Sequence, residues 1–403
     1  MADISINFLG KRFENPFVLS AAPATDNLEM LRNGLKSGWA GAVLKTTSVE
    51  GTPVPLKYPQ MTSISFEEKR VFGLGNIDLI SEHHIDIIIE RIKILKDEFP
   101  EKIIIPSIMG SIKKDWQTLA SRLKETDADM IECSFSCPQG SLGDHPTRML
   151  GQSAEASEMV TGWVKEAAED MPVIIKITPL VTSIVEIVNA VKRAGADAVT
   201  ASNSIPALMG VDIDTFVPFP NVNLMSTYSG FSGPAIKPIT LRVISEIAKN
   251  VDIPISGNGG VMNWKDAVEF MLLGASNVQI CSAVMRDGFR IIDDLIDGFN
   301  EYLDSHNFKS ASEIIGKALP RLKMYEELDY KEEIRAFIDK NLCIKCLKCV
   351  ISCRDGAHIA IEVGKNRYPF VDDEKCVGCG MCVQVCPVKN CIKMIELKEK
   401  LNI

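Results

Sequence analysis

The chain has 403 residues, a formal net charge of −9, 46% hydrophobic and 24% charged residues, which describes an ordinary globular protein with room for two domains. The acidic balance excludes nucleic acid as the main partner, and no run approaches the roughly 18 to 20 apolar residues of a membrane span. Met1-Ala2-Asp3-Ile4 has neither a basic region nor an apolar one, so no signal peptide is expected and the location is expected to be cytoplasmic. Nine of the twelve cysteines fall within residues 343–403. Without a secretion signal, that clustering points to metal or redox chemistry in a second domain rather than to disulfides.

In chain order, residues 4–18 read as a hairpin turning at Leu9-Gly10-Lys11. Apolar, β-branched strands then alternate with amphipathic helices. Strands are expected over 18–21, 42–46, 103–108, 130–134, 173–177, 198–201, 253–256 and 278–281. Helices are expected over 28–37, 79–98, 114–125, 154–168, 184–193, 237–249, 265–273 and 288–302. Gly-containing junctions such as Gly195-Ala196-Asp197 and Gly274-Ala275-Ser276 end helices where a left-handed residue is needed. Eight βα beats favour an α/β fold of the closed (β/α)8 barrel type, a TIM barrel, over residues 1–302, with a doubly wound open sheet as the rival. Residues 303–341 lose the beat and read as a helical connector, with helices over 311–319 and 330–340. Residues 342–403 form the Cys-rich module.

In that module Cys343, Cys346, Cys349 and Cys353 are followed at the same spacing by Cys376, Cys379, Cys382 and Cys386. This is the ferredoxin-like pattern for two [4Fe–4S] clusters, in which the fourth Cys of each run serves the other cluster. One cluster therefore takes Cys343, Cys346, Cys349 and Cys386, and the other Cys376, Cys379, Cys382 and Cys353. Zinc also uses CxxC pairs but is a poor rival for eight Cys in this triple spacing. The first run has Arg354 where the second has Pro387, and Cys391 is a ninth cysteine with a structural reading.

Clusters pass single electrons, and a flavin is the usual converter to two-electron chemistry. Lys45 and Lys176 end predicted strands, where side chains reach the barrel mouth and a cation can stabilise an anionic flavin. The run Gly257-Asn258-Gly259-Gly260 after strand seven and Cys281-Ser282 after strand eight match the phosphate site that barrels build there. Cys137 stands at the root of a Ser/Gly/Pro-rich loop after strand four, just before Pro138. On local signals it is a catalytic thiol or a small buried hydrophobe.

These residues carry a family resemblance. Asn15-Pro16-Phe17, Lys45-Thr46, Pro106 through Gly110, Glu132 through Gln139, Lys176 with Thr178-Pro179, Ser232-Gly233 with Ala235 through Ile239, and Gln279 through Ala283 resemble the flavin-and-cluster half of the dihydropyrimidine dehydrogenase family. The likeness is strongest to the smaller subunit of the bacterial two-subunit form, and the barrel is also similar to dihydroorotate dehydrogenase. The resemblance implies FMN contacts at Ala21, Ala22, Lys45, Thr46, Lys176, Gly233, Asn258, Gly259, Gly260, Cys281 and Ser282. It implies that Cys137 is the general acid/base, protonating one alkene carbon while hydride reaches its neighbour from flavin. Substrate contacts are implied at Asn76, Ser134, Ser136, Asn203 and Ser204. It further implies a homodimeric core and an outside electron source, either a separate NAD(P)H/FAD flavoprotein subunit or a ferredoxin. Two departures stand out: Ser134 and Ile112 occupy positions where the family has Asn. Losing two amides predicts a substrate other than plain uracil or thymine. A dihydroorotate dehydrogenase-like activity and an electron-transfer subunit are the alternatives.

Overall fold

Short apolar runs such as Ala42-Val43-Leu44 and Ile103-Ile104-Ile105 are buried on both faces, which is what a parallel sheet covered by helices requires. The computed structural model describes residues 2–49, 59–66, 70–135 and 149–397. Eight parallel strands close into a barrel: Phe17–Leu19, Gly41–Thr47, Ile103–Ile108, Ile131–Ser134, Val173–Lys176, Ala198–Ala201, Ile255–Asn258 and Asn277–Ile280. Each follows its predecessor around the ring, and the last pairs with the first, Gln279 opposite Val18. The fold is thus the (β/α)8 barrel, and the open doubly wound sheet is excluded by closure. The hairpin pairs Ile6–Phe8 with Lys11–Phe13, and its two turn residues, Leu9 and Gly10, both have positive φ.

The chain divides into two compact units, Met1–Arg321 and Leu322–Ile403. This corrects the expected helical connector. Once the helix Ile291–Ser305 has ended, its first half holds only single turns, Ala311–Ile314 and Leu319–Arg321, and its second half contains a strand, Ile334–Ile338. Ala336 and Ile338 bury one face of that strand while it pairs with Ile392–Glu396, more than fifty positions along the chain. The second helix starts at Ile85 rather than 79, because residues 79–84 are held elsewhere: the Ser81 N–H donates to the Thr46 carbonyl, and the Thr47 hydroxyl to the His83 carbonyl. A short helix, Ser282–Asp287, precedes the last barrel helix, Ile291–Ser305.

A feature without a sequence forecast is a four-stranded antiparallel sheet of Met61–Phe66, Arg70–Asn76, Ile205–Ala207 and Ser229–Ser232. All four strands lie in the insertions that follow barrel strands two and six, so they belong to the barrel face where βα loops build active sites.

Candidate active site and cluster chambers

Barrel strands two, four, five and eight deliver polar side chains into an otherwise apolar interior. Glu132 is fully buried. Its Oε2 accepts from Thr200 Oγ1 (2.7 Å) and Gln279 Nε2 (2.9 Å), and its Oε1 faces the Lys176 ammonium at 3.5 Å. Lys176 Nζ also donates to Ser20 Oγ (3.4 Å) at the end of strand one. Lys45 lies 2.8 Å from Asp78 and 3.7 Å from Asp26, and burial lowers the pKa of Arg91, whose Nη1 donates to the Asp26 carbonyl at 2.6 Å. Two ammoniums are thus held at the mouth by carboxylates recruited from distant strands and loops. Burying a charge is tolerable only with such partners.

The sequence reading picked the two lysines but gave no role to Glu132, Gln279, Asp26 or Asp78. A charged residue inside an apolar strand was the available signal for Glu132. The aspartates sit in loops that become neighbours of Lys45 only on folding.

Of the expected flavin residues, Ala21 and Ala22 form the turn after strand one, where the Ala22 N–H donates to Thr25 Oγ1 (3.1 Å). The Thr46 hydroxyl pairs with Ser107 (2.9 Å). Asn258, at the end of strand seven, donates to the Ser202 carbonyl (2.8 Å). Gly259 and Gly260 have φ of 127° and 91° and press against the first turns of the helix Lys237–Asn250. A Cβ on Gly260 would lie 2.7 Å from the Lys237 nitrogen, so only glycine fits there. Ser282 Oγ donates to Ser232 Oγ (3.2 Å), joining the turn after strand eight to the one that contains Gly233. Glycine-lined backbone, hydroxyls and a helix start converge in one cradle, a set of donors that fits a phosphate. Burial pushes the Cys281 thiol up to about 11, with Lys176 opposing and Asp78 adding, so it stays protonated at neutral pH.

Asn76, Asn203 and Ser204 are brought together by the extra sheet. Asn76 Nδ2 donates to the Gly230 carbonyl (3.1 Å), and a Cβ on Gly230 would meet Ser204 Oγ at 2.7 Å and Asn76 Nδ2 at 3.5 Å. Asn203 Oδ1 accepts from the Ser204 N–H (2.8 Å). Ser134 is buried at the end of strand four, in register with Lys176. Ile112 is exposed at the start of the third helix, Lys113–Lys124. Ser136 and Cys137 lie outside the described residues. Their flanks are pinned: the Gly151 N–H donates to the Phe135 carbonyl (2.8 Å), and Phe135 packs edge-on against Trp116.

In the C-terminal unit one chamber is lined by Cys343, Cys346, Cys349 and Cys386, together with Cys391. The other is lined by Cys353, Cys376, Cys379 and Cys382. The fourth cysteine of each run lies in the opposite chamber, the crossed assignment expected for two cubanes. Among the described residues no three thiol, imidazole or carboxylate groups gather tightly enough to hold a single ion. Both CxxCxxC loops bend through left-handed residues at matching positions, Lys345 and Leu347 in the first, Gly378 and Gly380 in the second. Among the described residues no helix is long and apolar enough to cross a membrane.

Residues 3–303 match the family model of dihydroorotate dehydrogenase, and residues 336–394 match the model of a 4Fe–4S dicluster domain. The chain is 38% identical over 404 aligned residues to the NAD-dependent dihydropyrimidine dehydrogenase subunit PreA of Escherichia coli K12, covering 99% of this chain and 97% of the relative. It is 31% identical to the chloroplastic dihydropyrimidine dehydrogenase (NADP(+)) of Arabidopsis thaliana, over 81% of this chain and 79% of the relative. It is 35% identical to the catalytic subunit of dihydroorotate dehydrogenase B (NAD(+)) of Pyrococcus abyssi, over 78% of this chain and 99% of the relative. With the glycine-lined cradle, paired lysines and crossed thiol chambers already in place, the chain belongs to the dihydroorotate dehydrogenase family, in the dihydropyrimidine dehydrogenase-like form with a dicluster domain: an FMN- and [4Fe–4S]-dependent oxidoreductase acting on CH–CH groups.

Proposed function

We propose that the chain reduces, or in reverse forms, a C=C bond beside a carbonyl in a pyrimidine-like cyclic substrate, with Cys137 as the proton donor. FMN, when bound, supplies hydride chemistry, and the clusters supply its electrons one at a time. The observation that carries this reading is the Lys176 ammonium, fixed between Glu132 and Ser20 at the strand end beside Ser134, three residues before Cys137. Lys176 and Lys45 would supply positive charge at the barrel mouth, stabilising the negative charge that a bound flavin gains on reduction. Asn76, Asn203 and Ser204, with Ser134 and Ser136, orient the substrate ring. Ala21, Ala22 and Thr46 shape the flavin's bed, and Gly233, Asn258, Gly259, Gly260, Cys281 and Ser282 hold its phosphate end. Free thiols titrate above neutrality, so a thiol at this place carries a transferable proton at neutral pH.

Hydroxyl Ser134 and apolar Ile112 offer fewer amide contacts than an imide ring uses on both edges. The substrate is therefore a modified or less polar cyclic amide or enone rather than uracil or thymine. Electrons come from a separate NAD(P)H/FAD flavoprotein subunit or a ferredoxin. The E. coli relative is named as a subunit, which supports the first of these. The working assembly is a homodimer in the cytoplasm.

An anaerobic screen tests the proposal. The reduced holoprotein is mixed with uracil, thymine and less polar cyclic amides and enones, and flavin reoxidation is followed by absorbance. Fast reoxidation by a less polar ring with slow uracil turnover is expected. Rapid uracil or thymine reduction defeats the substrate assignment, and reoxidation by none of the compounds defeats the reaction class.

A further inference from the structure

The two chambers differ in one respect that the ligand pattern does not require: the first is lined by five cysteines and the second by four. The extra one, Cys391, is 2% exposed and opens the segment that leads into the strand Ile392–Glu396. Two backbone carbonyls tie it to two of the four ligands. The Asp339 carbonyl accepts the Cys343 N–H (3.0 Å) and also faces Cys391 Sγ (3.8 Å). The Val388 carbonyl accepts the Cys391 N–H (3.3 Å) and the Cys386 thiol (3.5 Å). The Cys391 carbonyl in turn accepts the Asp339 N–H (2.8 Å), so the backbone that carries this thiol is fixed at both ends of the same chamber wall.

We propose that Cys391 is a reserve ligand of the first cluster, able to take the iron held by Cys386 or by Cys343. Here a soft donor sits among the sulfurs of one chamber and has no counterpart in the other. The exchange is redox-neutral. The Cys391 S–H gives its proton to solvent and its thiolate forms an Fe–S bond. The bond from iron to the departing cysteine breaks, and that sulfur takes up a proton. The cluster keeps four irons throughout, and its surroundings change by one ligand. Thiolate exchange at iron needs no external oxidant, so the device works whenever the native bond is lost.

The second chamber is the internal control. Full-length holoprotein is prepared anaerobically as Cys386→Ala, Cys343→Ala, Cys391→Ala, Cys386→Ala/Cys391→Ala and Cys353→Ala. Iron and acid-labile sulfide per chain and low-temperature electron paramagnetic resonance are then measured. Cys391→Ala is expected to retain the iron of two four-iron clusters. Cys386→Ala, Cys343→Ala or both are expected to retain it too, with altered spectra for one cluster. The Cys386/Cys391 double variant and Cys353→Ala are expected to lose iron and to show a three-iron signal when oxidised. The proposal is overturned if Cys386→Ala and Cys343→Ala both lose iron as Cys353→Ala does, because Cys391 then serves only packing. It is equally overturned if the double variant keeps all its iron, since the replacement ligand then lies elsewhere.

Discussion

The barrel and the C-terminal unit hold their cofactors by opposite means. The barrel has a continuous core, with Trp39, Trp116, Phe8, Phe17 and Phe299 almost wholly buried, and it suspends a few charged groups within that core. Among the described residues of the C-terminal unit the hydrophobic core cluster has twelve members, and five of them are cysteines, Cys349, Cys353, Cys376, Cys382 and Cys391. A core that small has little hydrophobic free energy to spend, so iron–sulfur bonds must supply much of what holds it. The lesson is that the first unit folds in order to make a site, whereas the second needs its site in order to fold.

The largest effect should come from stripping the iron. With an anaerobic chelator and oxidant, residues 322–397 are expected to lose amide exchange protection almost entirely while the barrel keeps it. All four tryptophans belong to the barrel unit, so their fluorescence should not change. Persistent protection in the iron-free C-terminal unit would break the contrast.

Next in size is Lys176→Met. It leaves the fully buried Glu132 carboxyl without its partner, at a cost of about 3–5 kcal/mol in barrel stability, read by denaturant titration of tryptophan fluorescence. Flavin retention should fall in parallel. A loss below about 1 kcal/mol would mean that the pair is not electrostatically important.

The smallest effect is on pH dependence. Cys281 holds its proton up to about 11 in the folded chain against 9.0 ordinarily. Between those values the native state binds a proton that the unfolded chain has released. Stability is therefore full below about pH 8.5 and falls as pH rises towards 11, by at most about 1.4 kcal/mol per pH unit. Cys281→Ala should flatten that decline. An unchanged alkaline slope would show that the thiol is not masked.

The same contrast governs what the sequence made legible. The cluster ligands follow local spacing, because two-residue gaps curl thiolates around one object, and the crossed pairing followed from the repeat alone. The barrel strands were readable because parallel strands buried on both faces are short apolar runs separated by helices. The extra sheet was not. Residues 205–207 and 229–232 are three- and four-residue strands with Pro and Gly; 229–232 becomes a strand by pairing with residues 70–76, more than a hundred positions away, and 205–207 then pairs with 229–232. Ile334–Ile338 failed for the same reason, its partner lying beyond both cluster motifs. Lys45 and Lys176 were visible as cations at strand ends. Asp26, Asp78 and Gln279 were not, since nothing local marks which distant group will pair with a buried charge.

The central claim is that Cys137 supplies the proton at a flavin charged through the clusters. Its most direct test is an anaerobic stopped-flow comparison of wild type and Cys137→Ala, using the substrate found by the screen. Flavin reduction by an electron donor acting through the clusters should be unchanged in the variant. Reoxidation by substrate should slow by about 10²–10⁴-fold, the usual share of a general acid. Reoxidation of Cys137→Ala at the wild-type rate would contradict the account.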